Sequence, residues 1–289
     1  MNHQKVEATP RGLIVAAALG LTACTYGSIE DEKEGSSEGS FSGALIDARL
    51  SADVYTWSCQ DPDTQEMYQG AFGQKIKLEY APGGIEALEL PGVGECVAGL
   101  NMSPDDAGPN AIDIPGVAFD PQWESDVDDG TLTKRSIGFY YGDAFPNVRT
   151  CQSTDEVMAG GVTLVDAGSL TDATTPAPND APTVEFSTAG TSIEFGDTVS
   201  MEWGSHLWGE VFVQVRREKE RVAWESVTCN VTGLGGFTVD EMVWDMMDER
   251  VQVDQNNLYV GFQTVDRQTV SGSDVQVVTR AIAVAVVED

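Results

Sequence analysis

The sequence predicts an all-β protein of two sandwich-like domains with one short helix, and three observations carry that expectation. Apolar residues recur at every second position in many short runs, the period of a strand with one buried face. Turn-forming Gly, Asn and Asp residues separate these runs at short intervals. A proline-containing stretch, residues 171–182, divides the strand-rich chain into bodies of residues 44–170 and 183–289.

In the first body Tyr55, Trp57 and Cys59 alternate with polar neighbours, and Ile76, Leu78 and Tyr80 alternate with Lys75, Lys77 and Glu79. Ile137, Phe139 and Tyr141 predict a third strand of the same kind. The stretch from Met102 to Asp129 is dense in Pro, Asp, Gly and Asn. A loop this long in a compact domain is usually functional or flexible. Pro176, Pro178 and Pro182 then make residues 171–182 a stiff, extended linker. In the second body the alternating sets are Val199, Met201 and Trp203; Val211, Val213 and Val215; Val227, Cys229 and Val231; and Leu258, Val260 and Phe262. The segment from Val275 to Val287 is apolar on both faces, which predicts a central strand. Asp240 suits a helix N-cap, and Met242, Val243, Met246 and Met247 fall on one helical face behind it.

Ahead of the strands, residues 1–23 have the layout of a secretory signal. Lys5 and Arg11 precede the apolar run Leu13–Leu21, and small residues lead to Cys24. The run is far short of the roughly 20 residues needed to span a bilayer. Leu21-Thr22-Ala23-Cys24 resembles the lipobox of bacterial lipoproteins. That resemblance implies that Cys24 receives the lipid and becomes the first residue of the mature chain, anchored to the membrane. Residues 24–43 are rich in Gly, Ser and acids and poor in apolar groups, the composition of a flexible tether. Thr25 stands where an Asp would resemble an inner-membrane retention signal, so the resemblance implies an outer-membrane lipoprotein. Its face, periplasmic or cell-surface, stays open, although Glu30-Asp31-Glu32 resembles the tether of surface-exported lipoproteins. The strand pattern of residues 183–289 is similar to the immunoglobulin-like sandwiches of bacterial envelope lipoproteins. In such a domain Trp203 would be the core tryptophan and Cys229 an inward strand residue.

The formal charge is −31, and removing the signal takes away Lys5, Arg11 and Glu7, leaving the mature chain slightly more negative. Binding to nucleic acid or to anionic lipid headgroups needs clustered Lys and Arg, so neither is expected as a partner. Cys59, Cys96, Cys151 and Cys229 remain beside Cys24, an even number in an exported chain, and disulfides are expected. Three connectivities are open. The favoured one joins Cys59 to Cys96 and Cys151 to Cys229; the alternative for Cys229 is a buried free thiol.

Few residues point to chemistry. Gly35-Ser36-Ser37-Glu38-Gly39 has the letters of a nucleophile elbow but lies in the tether, without the strand and helix that shape one. Gly92-Val93-Gly94-Glu95-Cys96-Val97 lacks the third glycine of a dinucleotide loop and reads as a turn. His206 is the sole histidine after the signal, which excludes a zinc site built on histidines and leaves any triad dependent on one loop residue. Asp126, Asp128 and Asp129 place hard oxygen ligands close together, as does the run from Asp61 to Glu66, so calcium is the one cofactor with support; neither segment follows the EF-hand register. Trp123 and Trp208 lie in loops, and Trp123 is the better placed to stack on a sugar. The expected function is therefore non-enzymatic: a lipid-anchored envelope protein of structural or interaction type, contacting an envelope protein or glycan. The alternatives are a carbohydrate- or calcium-dependent binding module and a carboxylate-based hydrolase.

Overall fold

A computed structural model describes residues 44–60, 67–99, 110–121, 130–145, 161–177, 183–187, 193–204, 209–219, 222–248, 250 and 252–285. The protein is all-β, as its alternation predicts, and its strands fall into one large sheet and one small one. Two long strands, β1 (Leu45–Gln60) and β2 (Met67–Glu86), pair antiparallel. The chain then reaches β3 (Cys96–Gly99), β4 (Val117–Pro121), β5 (Gly130–Ser136), β6 (Phe139–Phe145), β7 (Val162–Asp166) and β8 (Thr174–Thr175). Beyond residue 183 come β9 (Glu185–Phe186), β10 (Val199–Glu202), β11 (Glu210–Lys219), β12 (Val222–Asn230), β13 (Gly236–Val239), β14 (Gln255–Val270) and β15 (Ser273–Val284). The large sheet runs β3-β12-β11-β14-β15-β1-β2-β6-β5-β4-β7-β8, and the small one runs β13-β10-β9.

The middle of the large sheet explains the doubly apolar segment near the C-terminus. β15 lies between β14, antiparallel, and β1, parallel, in register from Ala48 opposite Val275 to Thr56 opposite Ala283. One face of this sheet carries two hydrophobic cores. Ala48, Leu50 and Ala52 of β1, Ile76 and Leu78 of β2, and Val275 and Val277 of β15 pack against Val117, Phe119, Leu132, Val162 and Leu164. Farther along the same face, Val211, Val213, Val227, Leu258, Val260 and Phe262 pack against Val199, Met201, Trp203 and Trp244. Burying each Val, Leu, Ile, Phe or Met side chain among these contributes about 2 kcal/mol.

The second core lies between two sheets: the first, second and fifth strands of the C-terminal half form the small sheet, and the other four belong to the large one. Trp203 is buried within it, donates its indole N–H to the Leu234 carbonyl at 2.8 Å, and meets Phe262 edge-on at 6.3 Å.

Strands from both sides of residues 171–182 share the large sheet. Thr174 and Thr175 pair with β7, and Val275 and Val277 complete the N-terminal core. Several expectations are corrected. Ile137 is exposed in the turn before β6, and the inward residue of that strand is Tyr140, one position out of the expected register. Tyr140 can go inward because its hydroxyl donates to the Ile114 carbonyl at 3.1 Å. The helix is shorter than expected, Glu241–Trp244, and Met242 is exposed. Asp240 does cap it, accepting from the Met242 N–H at 3.0 Å. The β14–β15 hairpin turns on Ser271 and Gly272, both at positive φ (49° and 89°), as a two-residue type I′ turn requires.

Candidate functional site

Strand alternation puts a second set of residues on the face of the large sheet opposite the two cores. Glu210, Gln263, Arg280, Asp53 and Lys75 lie opposite one another across β11, β14, β15, β1 and β2, forming a polar row. Asp53 has no solvent exposure. It accepts from Arg280 through Nε at 2.7 Å and Nη2 at 2.9 Å, and from Lys77 Nζ at 3.0 Å. Burial alone would raise the Asp53 pKa; the charges and hydrogen bonds of Arg280 and Lys77 overcome it and hold the group at about 2. Burial likewise disfavours charge on Lys77 and Arg280, and Asp53 reverses that, pushing both above their ordinary values.

Tyrosines flank this row. Lys75 Nζ sits 5.5 Å from the Tyr55 ring centroid and 5.6 Å from that of Tyr141, and Arg135 lies 5.6 Å from Tyr141 on its other contact. Arg216 lies 5.3 Å from the Tyr259 ring, and the Tyr259 hydroxyl donates to Glu218 Oε1 at 3.3 Å. Burial, reinforced by the Glu218 charge, pushes the Tyr259 phenol well above its usual value against the pull of Arg216. These cations gather on one face of a strongly acidic chain.

After β2 the chain crosses this face to reach β3 at the far edge of the sheet. The crossing segment is tied down by side chains of the face itself. Gln276 is buried; its Oε1 accepts from the Leu88 N–H at 2.8 Å and its Nε2 donates to the Leu88 carbonyl at 3.0 Å. Arg49 donates to Gln276 Oε1 at 3.2 Å and also to the Glu86 carbonyl. Asn230 donates to the Pro91 carbonyl at 2.8 Å. Residues of this strap and of the sheet line an open groove of about 540 Å³. Leu88, Leu90 and Val265 supply apolar wall, and Glu89 and Glu210 supply exposed carboxylates. Arg267 also lines it but is engaged by Asp274 at 3.3 Å.

The disulfide expectation is corrected here. Cys96 is bonded to Cys229, so neither Cys59–Cys96 nor Cys151–Cys229 forms. Nearness in sequence favoured Cys59 for Cys96, but the strap carries Cys96 to the opposite edge, where β3 places it directly opposite Cys229 of β12. Cys229 is therefore a bonded core residue and not a free thiol. The backbone of Cys59 belongs to β1, but its side chain lies outside the described residues. Cys24, Cys151, Trp123, Asp126, Asp128, Asp129 and His206 also lie outside them. Among the described residues no group of three His, Cys, Asp or Glu side chains is arranged to hold a metal ion, and no helix is long and apolar enough to cross a membrane.

Neither the ion-paired row nor the groove is among the sites read from sequence. The available signal was Asp53 itself, a charge in the middle of the alternating run Leu50-Ser51-Ala52-Asp53-Val54. Its partner Arg280 lies 227 residues away, beyond any local pattern. No protein-family model matches this chain, and no curated protein matches it.

Proposed function

We propose that this is a lipid-anchored cell-envelope protein of interaction type, held by lipid on Cys24 and presenting the polar face of its large sheet to an envelope partner. The observation that carries the reading is the difference between the two faces of that sheet. One buries two cores, and the other holds half-buried tyrosines, lysines and arginines in fixed ion pairs and cation–π contacts. Cations already held in place lose less freedom on binding, which suits recognition. The Cys96–Cys229 bond agrees with export to an oxidising compartment.

The test expresses the full chain and a Cys24→Ser variant in a bacterium that processes lipoproteins, followed by detergent phase partition and mass analysis of the mature N-terminus. The wild type should carry acyl mass and enter the detergent phase, and the variant should not. Identical aqueous partition of the two would remove the anchor from the reading. A non-permeant protease applied to intact cells then separates surface from periplasmic display.

A second reading, carbohydrate binding, is favoured by Tyr55, Tyr141 and Tyr259 on the same face. Its test is retention on envelope glycans and its loss in Tyr141→Ala; equal retention of the variant ends it.

A further inference from the structure

We infer that the N-terminal half of the body folds only on the C-terminal half, with β15 as its template, so that the part of the chain made first is ordered last. The two cores divide unequally between the halves. Every buried member of the core around Trp203 and Trp244 lies between Val184 and Ala285, and its one described neighbour from the N-terminal half is the half-buried Cys96. The core around Phe119 is not self-contained in this way. Val275 and Val277 belong to it and the half-buried Val270 packs against it, all three from the C-terminal half.

β15 supplies more than side-chain volume. It gives β1 one of its two ladders, nine residues in register from Ala48 to Thr56. Asp53 has no solvent exposure, and Arg280 of β15 holds it through two hydrogen bonds, at 2.7 and 2.9 Å. A half lacking β15 would leave that carboxylate to Lys77 alone. A buried charge stripped of a partner is strongly destabilising. Gln276 of β15 also ties down the crossing segment at Leu88 and accepts from Arg49 of β1. Apolar contact, backbone pairing, charge and the strap therefore all depend on one strand at the far end of the chain.

Loop closure sets the order. In the C-terminal half β11 is joined to β12, and β14 to β15, by short hairpins, so those pairings form at small entropic cost. Pairing β1 with β15 joins residues 227 apart, as in Asp53 and Arg280, and is rewarded only once β15 is held in a sheet. For a chain exported N-terminus first, in line with the function proposed above, the half that leaves first is the half that stays unfolded until the last strand arrives. That biological sense rests on the export reading; the folding order does not.

The test is pulsed hydrogen exchange, read by mass spectrometry, on the full mature chain refolding from urea with its disulfide bonding intact. Amides of β11, β12, β14 and β15 should gain protection before those of β2, β5 and β6. Protection of β2, β5 and β6 ahead of β15 overturns the inference. Two full-length variants, measured at equilibrium, test the direction of the dependence. Val213→Asp, in the C-terminal core, should abolish protection in both halves. Phe119→Asp, in the N-terminal core, should abolish it in β2, β5 and β6 and leave β11, β12 and β14 protected. Persistent protection of β2 and β6 in Val213→Asp overturns the inference. So does loss of protection in β11 and β14 of Phe119→Asp, which marks one indivisible unit. Export plays no part in these measurements, so a failure of Cys24 to carry lipid bears on the proposed function alone.

Discussion

Replacing Asp53 with Asn should destabilise the protein by about 3 kcal/mol at neutral pH, and the loss should fade in acid. Asp53 is fully buried between Arg280 and Lys77, whose side chains are 20% and 29% exposed. Removing one partner of a buried ion pair costs about 3–5 kcal/mol because the other charge is left uncompensated. The partial exposure of both cations lets water return to them, which puts the expected cost at the lower end. The pKa offers an independent magnitude. A folded value of about 2 against an ordinary 3.8 corresponds to about 2 kcal/mol of stabilisation of the ionised form. The folded pKa is depressed, so this contribution is present above the unfolded pKa of 3.8 and is lost as pH falls through the folded value near 2. Asn has no such titration, so the gap between wild type and variant narrows across that window. The assay is urea unfolding of both proteins at pH 7 and at a series of acid pH values, with the m-value as a check that the unfolded states match. A gap below about 0.5 kcal/mol at pH 7, the scale of an ordinary surface substitution, would refute the reasoning. So would a gap that stays constant into acid. Removing Arg280 together with Asp53, as Asp53→Leu with Arg280→Met, should recover much of the loss.

Cys96→Ser with Cys229→Ser should cost about 2–5 kcal/mol in the melting transition, since the bond closes a loop of 133 residues. Amide exchange should then rise in β3, which pairs with β12 alone. With Cys96–Cys229 formed, any second bridge among the four cysteines must join Cys59 to Cys151, and a non-reducing peptide map checks it. Thr279→Val should be neutral or stabilising by about 1 kcal/mol in urea unfolding, because the Thr279 Oγ1 is buried without a hydrogen-bond partner. Gly261→Ala should cost about 1–3 kcal/mol, because the added Cβ would lie 2.0 Å from the Phe212 ring and Phe212 is itself buried.

Local pattern made much of the fold legible. Val211, Val213 and Val215 announce an inward row because their spacing matches the pleat, and they do line a core. Asp240 announces the helix start because a short acceptor satisfies the first free N–H groups. The β6 strand misled by one residue: Phe139 and Tyr141 are the larger apolar pair, yet Tyr140 is inward, since the strand's register is set by pairing with β2 and not by which residue is more apolar. The candidate site was hardly legible, because the strap, the groove and the Asp53 row each combine residues from distant parts of the chain.

The sequence by itself determined the β class, the alternation that sorts residues onto two faces, and the helix cap. Each follows from interactions within a few residues. Only the tertiary structure decided that β15 lies parallel to β1, that two cores share one sheet, and that Cys96 bonds to Cys229. The physical reason is that strands join through backbone N–H and C=O groups that nearly every residue carries alike. Period two says which side chains share a face; it does not say which strand lies alongside.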